Sequence, residues 1–159
     1  MTPTLTLPDA AATDRVATQV AARLRPGDCL LLSGPVGTGK TAFARAVIQT
    51  CLAAAGRPPE DVPSPTFTLV QTYDAGRFDI WHADLYRLTD PQEVMELGLQ
   101  DAFPTAVCLI EWPDRLGEDV PDGAIHLTFQ MTDPGRTLTI SGPPDHVARL
   151  VPGTKEGQK

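Results

Sequence analysis

The sequence predicts a single α/β domain, a mixed parallel and antiparallel sheet flanked by helices. Three observations carry this. A short apolar run, Cys29 to Leu32, leads into a glycine-rich loop and then a helical repeat from Thr41 to Ala54. A second continuous apolar run, Ala106 to Ile110, has the composition of another central strand. Alternating runs elsewhere flank Asp74-Ala75-Gly76 and Asp133-Pro134-Gly135, residues that turn hairpins, so part of the sheet must be antiparallel.

In chain order, residues 2–8 alternate apolar and polar positions as a short edge strand that Pro8 ends. Asp9 to Arg25 reads as a helix, with Val16, Val20 and Leu24 at four-residue spacing on an alanine-rich background. Pro26-Gly27-Asp28 breaks it and feeds the strand Cys29–Leu32. In the following helix Phe43, Val47, Ile48, Cys51 and Leu52 recur at helical spacing. The stretch from Ala55 to Thr66 holds four prolines and predicts a loop of constrained shape. Phe67–Tyr73 and Arg77–Ala83 are strand-like. Asp90 to Leu97 starts as a helix should, with Asp90 at the N-cap, Pro91 at N1 and Glu93 at N3. Strands are expected at Ala106–Ile110, Ala124–Gln130 and Thr137–Ser141. From Gly142 onward proline and glycine predict a fraying tail. The expected organisation is one phosphate-loop NTPase-like domain over residues 1–142 and a flexible tail over 143–159.

The loop between the first apolar strand and its helix is GPVGTGKT, a complete G-x-x-x-x-G-K-T phosphate loop. Its candidate nucleotide-binding residues are Gly34, Pro35, Val36, Gly37, Thr38, Gly39, Lys40, Thr41 and Ala42. Glycines let successive N–H groups turn towards phosphate oxygens, and the helix start aims its positive end at the same place. Lys40 is expected to reach the β- and γ-phosphates, and the Thr41 hydroxyl is placed to bind Mg²⁺.

Composition narrows the rest. Apolar residues make up 42% and charged residues 21%, the balance of a globular chain. No apolar run is long enough to cross a bilayer and the N-terminus lacks a signal pattern, so a cytoplasmic protein without membrane contact is expected. The net charge of −7 argues against a broad grip on a nucleic-acid backbone, leaving any RNA role to a partner. Cys29, Cys51 and Cys108 sit singly in apolar runs and read as buried thiols.

A phosphate-loop enzyme needs a carboxylate near Mg²⁺ at the end of a neighbouring strand. Glu111 follows the apolar run AVCLI and is the candidate for holding the metal's shell or polarising water. Asp84, in HADLYRL, is the second candidate, able to orient the attacking water or accept its proton. The catalytic set is thus Lys40, Asp84 and Glu111, with Thr41 and Glu111 at the metal. His82 faces the same way as Asp84 along its strand, and reads either as a hydrogen-bonded structural residue or as a ligand contact. Thr66, held between prolines with Ser64, reads equally as a γ-phosphate-sensing switch residue or as part of a simple turn. Arg87 is open between an arginine finger and a surface pair with Glu93 or Glu96. Trp81 and Trp112 flank these residues and read as packing groups.

Together GPVGTGKT, SPTFTLVQTY, HADLYRL, ELGLQD and LIEWPDRL resemble, in content and order, the TsaE (YjeE) family. This family comprises small bacterial ATPases in the threonylcarbamoyl modification of tRNA adenosine 37. The resemblance spans about residues 2–141. It implies ATP as the nucleotide, with Lys40 and Thr41 at the phosphates and Mg²⁺. It also implies Thr66 in a switch-like loop, Asp84 and Glu111 as the acidic residues of the catalytic site, and Trp112 beside it. The implied partners are the synthase subunit TsaD and its paralogue TsaB, whose complex ATP hydrolysis is thought to reset; tRNA is met only through them. Two positions depart from the family pattern. Pro35 replaces an acidic residue and removes one loop N–H, and Ala42 replaces a second threonine.

Two rival classes stand beside a slow, partner-driving ATPase. One is a small-molecule kinase, which ordinarily devotes residues to a lid and an arginine-rich acceptor region. The other is a nucleotide-dependent binding module whose turnover is incidental.

Overall fold

The most apolar runs of the chain become its central strands. In the computed structural model, which describes residues 3–35, 37–132 and 135–151, β2 (Cys29–Ser33) and β5 (Val107–Glu111) are neighbours and parallel. Both are buried on both faces, which is why they read as unbroken apolar runs. The remaining strands are β1 (Thr4–Leu7), β3 (Val70–Asp74), β4 (Asp79–Asp84), β6 (Ile125–Met131) and β7 (Arg136–Ser141). They complete a seven-stranded sheet in the order β1-β7-β6-β2-β5-β4-β3. The four inner strands β6, β2, β5 and β4 run parallel, their hairpin partners β7 and β3 run antiparallel to them, and edge strand β1 pairs antiparallel with β7. The predicted mixed sheet is the one found.

Alternate side chains of β2 divide the core. Leu30 and Leu32 face α1 (Ala10–Ala21), α2 (Lys40–Ala54) and α5 (Pro144–Leu150), while Cys29 and Leu31 face α3 (Pro91–Glu96) and α4 (Leu99–Ala102). Phe43 of α2 meets Phe129 of β6 edge-to-face at 5.7 Å, seating that helix on the sheet. All three cysteines are free and buried, and burial pushes the Cys51 thiol up to about 11 and the Cys108 thiol up to about 12.

α3 forms as its residues dictate. Asp90 accepts from the Gln92 N–H, Glu93 reaches back to the Asp90 N–H, and Pro91 occupies the first turn. Three expectations need correction. β3 begins at Val70, not Phe67, because residues 66–68 turn and Leu69 adopts a left-handed φ of 71°. The Leu69 carbonyl thereby accepts the Asp84 N–H at 2.9 Å, and Phe67 is left 82% exposed. α1 stops at Ala21 rather than Arg25, since the chain ahead of Pro26 leaves helical geometry. The stretch after Gly142 is not a frayed tail through residue 150. Pro144 at the first turn starts α5, and Val147, Leu150 and Val151 are buried in the larger core. Arg149 holds both carboxylate oxygens of Asp28, at 2.7 and 2.9 Å. Thr2, Val36 of the phosphate loop, Asp133-Pro134 of the second hairpin turn and tail residues 152–159 lie outside the described residues.

Candidate active site

The C-terminal ends of β2, β5 and β4 lie side by side, where open α/β sheets bind their ligands. β2 delivers the phosphate loop there. Gly34 takes a φ of 138°, and a Cβ on it would stand 2.4 Å from the Phe129 carbonyl oxygen, so only glycine fits against β6. Thr38 turns its hydroxyl onto the Pro35 carbonyl at 2.6 Å, closing the loop on itself. α2 then starts at Lys40, and its first residues Lys40, Thr41 and Ala42 line the cleft, at the end of a helix that leaves N–H groups without intrahelical partners.

Lys40 is 5% exposed. Its ammonium donates to the Gly34 carbonyl at 2.6 Å and lies 3.9 Å from the centroid of the Trp112 ring. Burial holds the Lys40 pKa below that of an ordinary lysine, while Glu111, Asp84 and Asp114 pull it back up. Trp112 reaches this position from a left-handed backbone, φ 58° and ψ 56°, at the turn into the 3-10 helix Pro113–Asp119. An aromatic residue in that conformation stores strain on the order of 1–2 kcal/mol, held in place by its ring packing at 4.8 Å on Tyr86.

Glu111, 2% exposed, has a partner on each oxygen. Thr41 donates its hydroxyl to Oε1 at 2.8 Å, and His82 Nε2 stands 2.7 Å from Oε2. A carboxylate only accepts, so in this pair His82 Nε2 is the donor, while its Nδ1 is buried without a partner. Asp84 lies opposite Glu111 in the β4–β5 register. Its Oδ1 accepts the Tyr86 N–H at 3.0 Å and its Oδ2 accepts the Thr66 hydroxyl at 3.1 Å. Ser64 and Thr66 share a hydroxyl contact of 2.8 Å, so the proline-bounded loop is tied directly to Asp84.

These groups line one open cleft of about 640 Å³. Of the residues proposed from sequence, Gly37, Gly39, Lys40, Thr41, Ala42, Thr66, Asp84 and Glu111 meet in it. Gly34 and Pro35 line a smaller hollow of about 300 Å³ behind Trp112, and Thr38 is wholly buried beneath the loop. Arg87 is not in the cleft; its guanidinium lies 5.5 Å from the exposed Phe67 ring, and no ion pair joins it to Glu93 or Glu96 among the described residues. His82 takes the structural option, bonded to Glu111 below the cleft floor. The sequence reading did not single out Arg136 or Tyr86, which also line the cleft. Arg136 carries the fainter signal, a cation just after a hairpin turn in an acidic chain.

A buried lysine facing two buried carboxylates, with a hydroxyl and a row of helix-start N–H groups alongside, is an arrangement for polyphosphate chemistry. The hydroxyl and carboxylate oxygens are hard donors of the type Mg²⁺ takes. Among the described residues no cluster of three His, Cys, Asp or Glu side chains that could hold a metal ion is present.

The family model for "Threonylcarbamoyl adenosine biosynthesis protein TsaE" matches residues 7–138. A tRNA threonylcarbamoyladenosine biosynthesis protein TsaE from Rickettsia bellii is 37% identical over 126 residues, 79% of this chain and 85% of its own. The proteins of that name from Treponema pallidum and Bacillus subtilis are 32% and 34% identical over 131 residues, 81% of this chain and 93% and 78% of theirs. The crystal structure of Bacillus subtilis YdiB superposes with a TM-score of 0.71 at 24% identity, covering 94% of this chain and 91% of that one, and so supports the fold.

Proposed function

The chain belongs to the TsaE family, whose members serve tRNA threonylcarbamoyladenosine biosynthesis, and from that premise we propose that it is an ATP-binding, slowly hydrolysing subunit acting on a partner synthase complex. The observation that carries this reading is the buried set of Lys40, Asp84 and Glu111 converging on the phosphate loop. A module that merely bound nucleotide would need the lysine and the loop, but not two buried carboxylates at the hydrolysis end.

In this reading the loop N–H groups and Lys40 bind the phosphate chain, and the stacked Trp112 ring fixes the ammonium laterally. Thr41 and Glu111 are the residues that would hold Mg²⁺, which when bound neutralises charge across the β- and γ-phosphates. Asp84 orients the attacking water and receives its proton, while its bond to Thr66 reports the state of that loop. The Thr41–Glu111–His82 chain of hydrogen bonds keeps the Glu111 carboxylate from rotating out of position. Pre-set positions of this kind supply most of the acceleration in phosphoryl transfer.

The proposed partners are the TsaD-type synthase subunit and its TsaB-type paralogue, with tRNA met through them. A net charge of −7 supports the indirect route. The test is ATP consumption by this chain alone and with both partners, together with formation of the modified adenosine. Slow turnover alone and partner-dependent support of modification are expected. Transfer of labelled phosphate to a small acceptor would instead establish a kinase, and modification that proceeds equally well without ATP hydrolysis would establish a binding module.

A further inference from the structure

Phe67 is the most exposed large apolar side chain among the described residues. A single aromatic in water is ordinary, but this one is held there by its backbone. Leu69, two residues on, has a φ of 71°, which a leucine adopts only where its surroundings impose it. The Leu69 N–H donates to the Pro65 carbonyl at 2.7 Å and the Val70 N–H to the Thr68 carbonyl at 2.8 Å, so the turn that carries the ring is fixed. Arg87 completes the patch. Its guanidinium lies 5.5 Å from the Phe67 ring centroid, and no carboxylate pairs with it among the described residues.

The patch stands on the rim of the candidate active site, since Thr66 and Tyr86, its chain neighbours, line the cleft. The same turn holds Asp84 twice, by the Thr66 hydroxyl at 3.1 Å and by the Leu69 carbonyl on the Asp84 N–H at 2.9 Å. A ring already fixed in place loses little freedom on being buried, which is what an interface anchor needs. The charges select what buries it. A net charge of −7 turns away a phosphate backbone. A two-fold contact of the patch with its own copy would set one Arg87 against another. Resting on the proposed function, we propose that Phe67 and Arg87 are the anchor by which a protein partner grips the rim of the hydrolysis site. The partner's side of the contact is an apolar pocket edged by a carboxylate. Because the turn also holds Asp84, a partner that favours one arrangement of the turn favours one placement of that carboxylate.

Phe67→Ala removes a ring that lies in water, so the variant melts with the wild type. ATP affinity and the turnover of the isolated chain stay within about twofold of wild type. Affinity for the TsaD- and TsaB-type pair, measured with ATP present, falls about tenfold or more. Phe67→Tyr keeps most of that affinity. Arg87→Ala weakens it less than Phe67→Ala, Arg87→Glu weakens it more than Arg87→Ala, and both losses shrink as salt rises. Partner affinity unchanged in Phe67→Ala, where the wild type binds, overturns the anchor and leaves the proposed function standing. A wild-type chain that binds neither partner defeats that function, and the anchor with it. The anchor also falls if Phe67→Ala slows the isolated chain as much as the partnered one, since the turn then serves Asp84 alone. A wild-type dimer that Phe67→Ala dissociates in sedimentation would make a second copy the occupant. Phe67-dependent binding of tRNA by the isolated chain would make it RNA, and either result overturns the assignment.

Discussion

His82 Nε2 stands 2.7 Å from Glu111 Oε2, with the histidine wholly buried and the carboxylate 2% exposed. The pair is made by adjacent strands, His82 from β4 and Glu111 from the end of β5. It makes His82 a positioning residue, one that acts through Glu111. His82→Leu keeps the volume and deletes the donor, leaving one oxygen of a buried carboxylate unpartnered, at about 1–3 kcal/mol. Chemical denaturation should record that loss, and kcat should fall more than nucleotide affinity does. His82→Gln, which restores a donor, should recover part of both. A leucine variant with wild-type stability and turnover would show that the contact holds nothing in place.

Lys40 yields a prediction in pH. Its ammonium is buried, so its pKa sits below the ordinary lysine value, and the charged form that binds phosphate is lost earlier as pH rises. Nucleotide affinity should therefore begin to fall on the alkaline side sooner than an exposed lysine would allow. Lys40→Arg should lack that alkaline limb, because a guanidinium keeps its proton. Lys40→Ala should bind neither ATP nor ADP measurably while still melting cooperatively. Calorimetric titration across the alkaline range checks the wild type and both variants, and a flat wild-type profile would contradict the role given to the buried ammonium.

How much of this was legible depends on how local the cause was. The phosphate loop declares itself within eight residues, GPVGTGKT, and strand, loop and helix follow one another as that motif requires. Asp84 and Glu111 were legible because each closes an apolar strand, and a parallel sheet gathers such ends along one edge. The His82–Glu111 bond was not, because it depends on β4 pairing with β5 in one register, a fact about two segments and not either alone. Arg136 was hidden for the same reason: the hairpin and the crossover to β2 bring it to the loop. Two misreadings had local causes that were weighed wrongly. Proline and glycine after Gly142 predict a fraying tail, yet proline also favours the first turn of a helix, and the left-handed turn at Leu69 delays β3 past the apolar Phe67.

That misread segment is testable. α5 buries Val147, Leu150 and Val151 against the larger core, and Arg149 bridges to Asp28. A chain ending at Ser141 loses three apolar side chains worth about 1.5–3 kcal/mol each, less the entropy of ordering them. We expect destabilisation of at least 3 kcal/mol and a clear fall in Tm, with part of it reproduced by Leu150→Ala in the full chain. A truncated protein that melts with the full chain would mean the helix is an ornament on a finished domain.

The two carboxylates carry the last prediction. Glu111→Gln preserves shape and most bonds: the amide oxygen can accept from His82 Nε2, and the amide N–H₂ can donate to a Thr41 hydroxyl rotated to accept. What it removes is the charge. Asp84→Asn is conservative in the same way, since its oxygen can still take the Tyr86 N–H and its N–H₂ can donate to Thr66. Both variants should therefore fold and melt near the wild-type temperature. Hydrolysis should fall at least tenfold in each, about 1.4 kcal/mol or more in barrier, because electrostatic positioning is most of what the site contributes. ATP binding should weaken less than hydrolysis, since Lys40 and the loop N–H groups still hold the phosphates. A Thr66→Val variant then separates the loop from the carboxylate. If it slows turnover while Asp84→Asn on top of it adds little, the two act as one unit. Should both carboxylate variants turn over ATP at the wild-type rate, alone and with partners, the hydrolysis assignment falls and the cleft is a binding site.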